Sequence, residues 1–184
     1  MDNGASSYRR FLSGDDSALE EIVVLYRTGL QNYINSIVRN YSVAEDLTED
    51  TFVKLLTKRP RDRNEAAFKT WLYTIGRNIA IDYLRKNPKG RDIPIEEAEG
   101  ISSEEEQFQK IYSDDELKKA VHSAMDKLKP EYRQVLWLKY FEDFSNEEIS
   151  KIIRKSRNGT SVLLHRAKQA LKNQFEKENF DYEI

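Results

Sequence analysis

Two stretches of this sequence carry side chains suited to hydrogen-bonding bases and phosphates. In "FKTWLYTIGRNIAIDYLRK", residues 68–86, the apolar Phe68, Leu72, Ile75, Ile79 and Tyr83 recur at helical steps, which predicts one amphipathic helix. Opposite them, Trp71, Thr74, Asn78, Asp82 and Arg85 fall on nearly one line. An ordinary solvated face would carry Glu and Lys; this one carries an aromatic, an amide, a carboxylate and a guanidinium. In "FSNEEISKIIRKSRNGTSVLLHRAKQALK", residues 144–172, a short capped helix precedes a brief turn and a longer basic helix, the layout of a helix-turn-helix. Ile149, Ile152 and Ile153 are expected to pack inward, with Thr160, Leu164, Ala167 and Leu171 as the inner face of the second helix. That leaves Arg157, Asn158 and Ser161 outside near its N-terminus, where a recognition helix meets base edges. Arg suits guanine and Asn suits adenine through paired hydrogen bonds. Arg166 and Lys168, further along, suit phosphates, and Ser156 and His165 complete the candidate set.

Charge supports a polyanionic partner despite a net −2. Residues 92–116 hold ten acids and one base, whereas 54–91 hold eleven bases and three acids, and 151–172 hold seven bases and no acid. Two basic blocks thus flank an acidic one. The alternative for each basic block is a plain solvated helix face. With 39% hydrophobic and 34% charged residues the composition is globular with a large charged surface. No cysteine is present, so disulfides, thiolate metal sites and a cysteine nucleophile are excluded. The only histidines are His122 and His165, and no glycine-rich phosphate loop occurs, which argues against an enzyme and against a metal or cofactor. No apolar run approaches the roughly 20 residues that span a bilayer, so no direct membrane insertion is expected. The N-terminus "MDNGASSYRRFLSGDD" lacks the apolar core of an export signal, and a cytoplasmic location is expected.

Helical periodicity dominates the elements that must position these residues. Leu19, Ile22, Val23, Tyr26, Leu30, Tyr33, Ile34, Ile37 and Val38 keep a three-four rhythm over about 16–40, with Gly29 as a candidate break. Ser42 and Glu45 form a capping box opening a helix that runs to Lys58. "KRPRDRNEAA" reads as a loop, and Pro88, Gly90 and Pro94 stop the 68–86 helix. Residues 87–112 are charged and aperiodic, a linker. Ser113 and Glu116 form a second box for a helix to about Leu128; Pro130 suits the first position of the next; Ser145 and Glu148 form a third box. A last helix is expected over about Arg157–Glu176. The fold class is all-α, with two small helical domains at 1–86 and 113–177, the 87–112 linker between them and a tail at 178–184.

"AEDLTEDTF" (44–52), then "FKTWLYTIGRNIAIDYLRK", an acidic linker and a helix-turn-helix ending "LLHRAKQAL" together resemble the bacterial sigma-70 family, in its compact extracytoplasmic-function (ECF) group. The resemblance spans nearly the whole chain. It implies a non-enzymatic transcription initiation factor with a region 2 bundle and a region 4 helix-turn-helix. Region 2 would bind the largest subunit of RNA polymerase core and open the minus-ten promoter element. Region 4 would bind the minus-thirty-five element and the second-largest subunit. The resemblance further implies an anti-sigma factor as partner, and a chain that is monomeric when free.

Residue by residue, the resemblance assigns core binding to Asp46, Glu49 and Asp50, an acidic stripe, with Leu47 and Phe52 as apolar contacts or core. Glu49 stands where the family usually has Gln. Arg61, Arg63 and Asn64 lie in the loop matching the one that traps a flipped minus-ten base. Asn78 and Asp82 match positions that meet the non-template strand; Arg77 and Arg85 suit its phosphates. Trp71 is a candidate for that face, and by its spacing also for the core. In the recognition helix Ser161 and Leu163 replace residues that are commonly basic, and Leu163 is open to two roles, a core residue or a contact to a thymine methyl. The rival reading is a stand-alone helix-turn-helix regulator whose N-terminal half senses or dimerises.

Overall fold

The computed structural model describes residues 4–58, 68–88 and 115–177, and all regular elements among them are helices. Four belong to the first half: α1 (Ala5–Leu12), α2 (Ser17–Val38), α3 (Tyr41–Lys58) and α4 (Phe68–Lys86). Four belong to the second: α5 (Asp115–Asp126), α6 (Pro130–Tyr140), α7 (Asn146–Ile153) and α8 (Arg157–Lys177). The 58–67 loop from Arg59 on, the Ser113 box, most of the linker and the tail lie outside the described residues.

The three-four rhythm builds α2. Ile22, Leu30, Tyr33 and Ile34 are fully buried, each such side chain contributing about 1.5–3 kcal/mol. Gly29 does not break this helix, contrary to the expectation. It lies inside α2, where a Cβ would come within 2.8 Å of the Tyr73 hydroxyl and 2.9 Å of the Glu142 carboxylate. Close approach, not a bend, is what calls for glycine there. The helix ends at Arg39, in the left-handed region at φ 57°, whose N–H bonds to the Asn35 carbonyl. The expected Ser42 cap is also corrected. The Asn40 side chain accepts from the Val43 amide at 3.0 Å, so Asn40 caps α3 and Ser42 lies within it.

The periodicity did not predict α1. An eight-residue helix is marginal alone. It forms here because Tyr8 and Phe11 are each 1% exposed, with the Tyr8 ring 5.0 Å from Phe68 and 5.5 Å from Trp71. Arg10, bound to Asp15 and Glu21, ties α1 to the start of α2.

In the second half Pro130 takes the first position of α6. Ser145 and Glu148 form the expected reciprocal box. The Ser145 hydroxyl accepts from the Glu148 amide at 3.2 Å, and the Glu148 carboxylate accepts from the Ser145 amide at 2.9 Å. The two halves are not separate in space. Their buried apolar residues form one continuous cluster, with α4 packed on α7 and α2 on α6.

Candidate nucleic-acid interface

The turn between α7 and α8 is built by Arg154 and Ser156. Arg154 is left-handed at φ 57° and closes α7; the Lys155 amide bonds back to the Ser150 carbonyl at 3.0 Å. Ser156 then caps α8, its hydroxyl accepting from the Gly159 amide at 3.0 Å and its carbonyl from the Thr160 amide at 2.9 Å. The space beside Gly159 is filled by that same Ser156 hydroxyl. Thr160, Leu164 and Ala167 face inward as expected, Leu171 partly so. Leu163 is 8% exposed, which resolves its open role in favour of the core.

Turned outward, Ser156, Arg157, Asn158, Ser161, His165, Arg166 and Lys168 are all exposed. The Arg157 guanidinium lies 2.7 Å from the Glu147 carboxylate. A hydrogen bond from Lys151 and the charge of Arg157 hold that carboxyl below the usual range. Arg157 is thus a poised cation on an exposed ion pair that a phosphate or base edge can displace. The Lys168 ammonium sits 5.5 Å over the Tyr140 ring, at the far end of this row.

On α4 the line of unusual residues divides. Trp71 is half-buried, 5.5 Å from Tyr8 and 5.9 Å from Phe68, so the core holds one side of its ring. Thr74 spends its hydroxyl on the Thr70 carbonyl. Asn78 is half-buried, while Asp82 and Arg85 are exposed and paired at 3.2 Å. Arg77 turns to the neighbouring face and donates from Nε to the Gln134 side chain of α6 at 3.2 Å. Arg61, Arg63 and Asn64 lie outside the described residues.

Asp46, Glu49 and Asp50 form an exposed stripe on α3, whereas Leu47 and Phe52, each 7% exposed, are core. Three apolar side chains missed in the sequence stand out on the same pair of helices: Val24 at 84%, Leu25 at 57% and Val53 at 52% exposure. Their signal was available, since Val24 and Leu25 fall outside the inward rhythm of α2. Arg27 and Glu45, 3.1 Å apart, tie the two helices together.

A second group of residues had no sequence signal. Tyr73 donates to the Glu142 carboxylate at 2.5 Å, and Lys69 donates to the Glu142 carbonyl at 2.7 Å. Thr70 donates to Glu148 at 3.2 Å, and Tyr73 meets Phe144 edge-on at 5.1 Å. Burial first, and Glu142 next, push the Tyr73 hydroxyl well above the usual tyrosine range, so it stays a donor. Arg133, 3% exposed, donates to the Ser36 carbonyl at the end of α2 at 2.6 Å. Burial lowers its guanidinium to about 10, which leaves it cationic at neutral pH.

Comparison with known proteins fits this geometry. The family model described as Sigma-70 region 2 matches residues 22–89, and that described as Sigma-70, region 4 matches residues 118–171. The chain is 30% identical over 161 residues to the RNA polymerase sigma factor YlaC of Bacillus subtilis (strain 168), covering 87% of this chain and 93% of that one. It is 27% identical over 173 residues to the ECF RNA polymerase sigma factor SigW of the same organism, covering 88% and 90%. Its fold is similar to that of CnrH, solved in complex with the cytosolic domain of CnrY, at a TM-score of 0.65 and 20% identity over 94% of this chain and 97% of that one. It is also similar to the sigma factor RpoE of Bartonella quintana, solved with the anti-sigma factor NepR, at a TM-score of 0.62 and 20% identity over 85% and 96%. Among the described residues no helix is long and apolar enough to cross a membrane. With both regions matched in order on the two helical halves, and relatives covered nearly end to end, the chain belongs to the sigma-70 family, in its extracytoplasmic-function group, and is an alternative sigma factor that directs transcription initiation.

Proposed function

We propose that the chain docks on RNA polymerase core through the acidic stripe of α3, reads the minus-ten strand with α4 and the 58–67 loop, and reads the minus-thirty-five duplex with α8. In this reading region 2 spans 1–86, the linker 87–112 and region 4 113–177. The observation that carries it is the outward row of Arg157, Asn158 and Ser161 at the N-terminal end of α8, backed by a fully packed inner face. Arg157 leaves Glu147 for a base edge or phosphate, and Asn158 offers a paired donor and acceptor. On α4 the Asn78 amide and Asp82 carboxylate meet unstacked bases while Arg85 meets the backbone. Asp46, Glu49 and Asp50 present negative charge to a basic surface of the largest subunit, with Val53 one turn on.

An anti-sigma factor is the proposed regulatory partner. Two proteins of similar fold were solved with bound partners, CnrH with the cytosolic domain of CnrY and the sigma factor RpoE with the anti-sigma factor NepR. The exposed Val24, Leu25 and Val53 beside an acidic stripe supply a surface of the mixed kind such partners use. The proposed place of action is the cytoplasm, on a chain that is monomeric when free.

The test is run-off transcription with purified core. The chain should co-purify with core and start transcripts at discrete sites. Asp46→Lys with Asp50→Lys should weaken core binding at least about tenfold with helicity unchanged. Binding to duplex operators alone, without core capture, would instead establish a stand-alone regulator.

A further inference from the structure

An open cleft of about 280 Å³ lies between α4, α6 and the turn from α7 to α8. That is close to the size, roughly 300 Å³, at which small-ligand pockets begin. Its polar lining is nearly all donor. Arg77 enters from α4, Gln134 from α6, and Arg154 and Lys155 from the turn, while Ile153 and Leu163 supply an apolar wall. The sequence marks Arg77 as a phosphate binder; the structure turns it from the face of Asn78 and Asp82 to the neighbouring one, into this cleft.

These donors lack acceptors. Gln134 is 6% exposed, and its Oε1 accepts from Arg77 Nε at 3.2 Å. That bond fixes which end of the amide is which and leaves the NH2 group over. The NH2 group has no acceptor among the described residues. A polar group this buried is ordinarily satisfied by protein, water or ligand. The terminal amino groups of Arg77 are also unpaired among the described residues, since only Nε is engaged. Arg154 and Lys155 form no ion pair there either, and Glu147 of α7 is taken by Lys151 and Arg157. Glu131, exposed on the first turn of α6, is the one carboxylate among the described lining residues, and it pairs with none of the three cations. Three cations against one carboxylate leave a net charge of +2, beside apolar walls that focus the field.

We propose that this cleft binds a small organic phosphate, of the size of a sugar phosphate. The phosphoryl oxygens take the donors of Arg77, Arg154, Lys155 and the Gln134 amide. The paired amino groups of a guanidinium match two oxygens of one phosphate, which is why Arg suits this position better than Lys. The carbon skeleton lies against Ile153 and Leu163, and the Glu131 carboxylate accepts from a sugar hydroxyl. A bare inorganic anion leaves the apolar wall and Glu131 unused. The site needs neither core nor promoter and does not rest on the reading of α4 and α8 given above.

Titration calorimetry on the full chain, with neither core nor DNA, tests it. Ribose 5-phosphate should bind one to one with a dissociation constant of about 1 mM or below, inorganic phosphate at least about tenfold more weakly, and ribose not measurably. Lys155→Glu reverses a charge on an exposed side chain, so the melting temperature should stand while affinity falls at least about tenfold. Arg77→Lys keeps the charge but loses the paired geometry, and should also weaken binding. No heat with ribose 5-phosphate at about 10 mM, ten times the expected constant, would overturn the site. Equal affinities for the native chain and Lys155→Glu would put the phosphate elsewhere and overturn it too. Inorganic phosphate binding as well as ribose 5-phosphate would leave an anion hole and overturn the organic ligand. Displacement of ribose 5-phosphate by a short DNA duplex at far lower concentration would make these cations contacts to the DNA backbone, against the proposal. Failure of run-off transcription with core would defeat the functional reading while leaving these titrations intact.

Discussion

Arg157 and Lys168 illustrate how two cations on one helix take different roles. Arg157, at the first position of α8, is held by Glu147; Lys168, three turns on, lies over Tyr140. In the reading proposed above the first meets a base edge and the second a phosphate. Arg157→Ala should cost about 1–3 kcal/mol on preferred minus-thirty-five sequences and little on others. Lys168→Ala should weaken binding evenly across sequences and reduce the salt slope by about one unit. Binding across a promoter library at two salt concentrations separates the two outcomes, and equal, sequence-independent losses would place both residues on the backbone. Leu163 shows the reverse case, a residue at a commonly basic position that is buried against the helix-turn-helix core.

The helices themselves were largely legible in the sequence because their apolar residues repeat at the helical period and their ends carry caps. The Ser145 box, Pro130 at the start of α6 and the inward face of α8 follow from residues a few positions apart. Where reading failed, the cause lay at longer range. Gly29 looks like a breaker until Glu142, far along the chain, arrives beside it. Ser42 satisfies a capping pattern, but the left-handed Arg39 ends α2 one residue before Asn40 and gives the cap to Asn40. Helix α1 exists only because Phe68 and Trp71 receive its aromatic face. The outward rows of α3 and α8 were readable for the same reason as the core, being its complement. The Ser145 box also makes a prediction in pH. Burial would raise the Glu148 carboxyl, but hydrogen bonds from Ser145 and Thr70 outweigh it and leave it below the ordinary value of 4.5. A group with a lowered folded value stabilises fully above its unfolded value and loses that contribution as pH falls through the folded one. Acid unfolding followed by circular dichroism should therefore show a loss below about pH 4.5 that Ser145→Ala makes shallower, with a cost of about 1 kcal/mol at neutral pH.

Across the whole molecule, Arg133 joins the halves at a second place, 97 residues from its acceptor Ser36, and also donates to the Asp126 and Leu128 carbonyls. Arg133→Ala leaves the buried Ser36 and Leu128 carbonyls and the part-buried Asp126 carbonyl without this donor and should lower stability by about 2–3 kcal/mol in urea unfolding. If Arg133 couples the halves, the single transition of the native chain should split into two; one unshifted transition would show that the guanidinium couples nothing. None of these long-range pairings leaves a trace in periodicity, which is why the Glu142 contacts and Arg133 went unread while the helices did not. Their separation along the chain also sets a schedule during synthesis. Tyr73 is made 69 residues before Glu142. At about 5–20 residues per second, the first half stands for about 3–14 seconds with α4 uncovered before its own second half exists to close on it. The first half therefore presents the α4 surface that Glu142 later covers to solvent, or to any partner, before that contact can form.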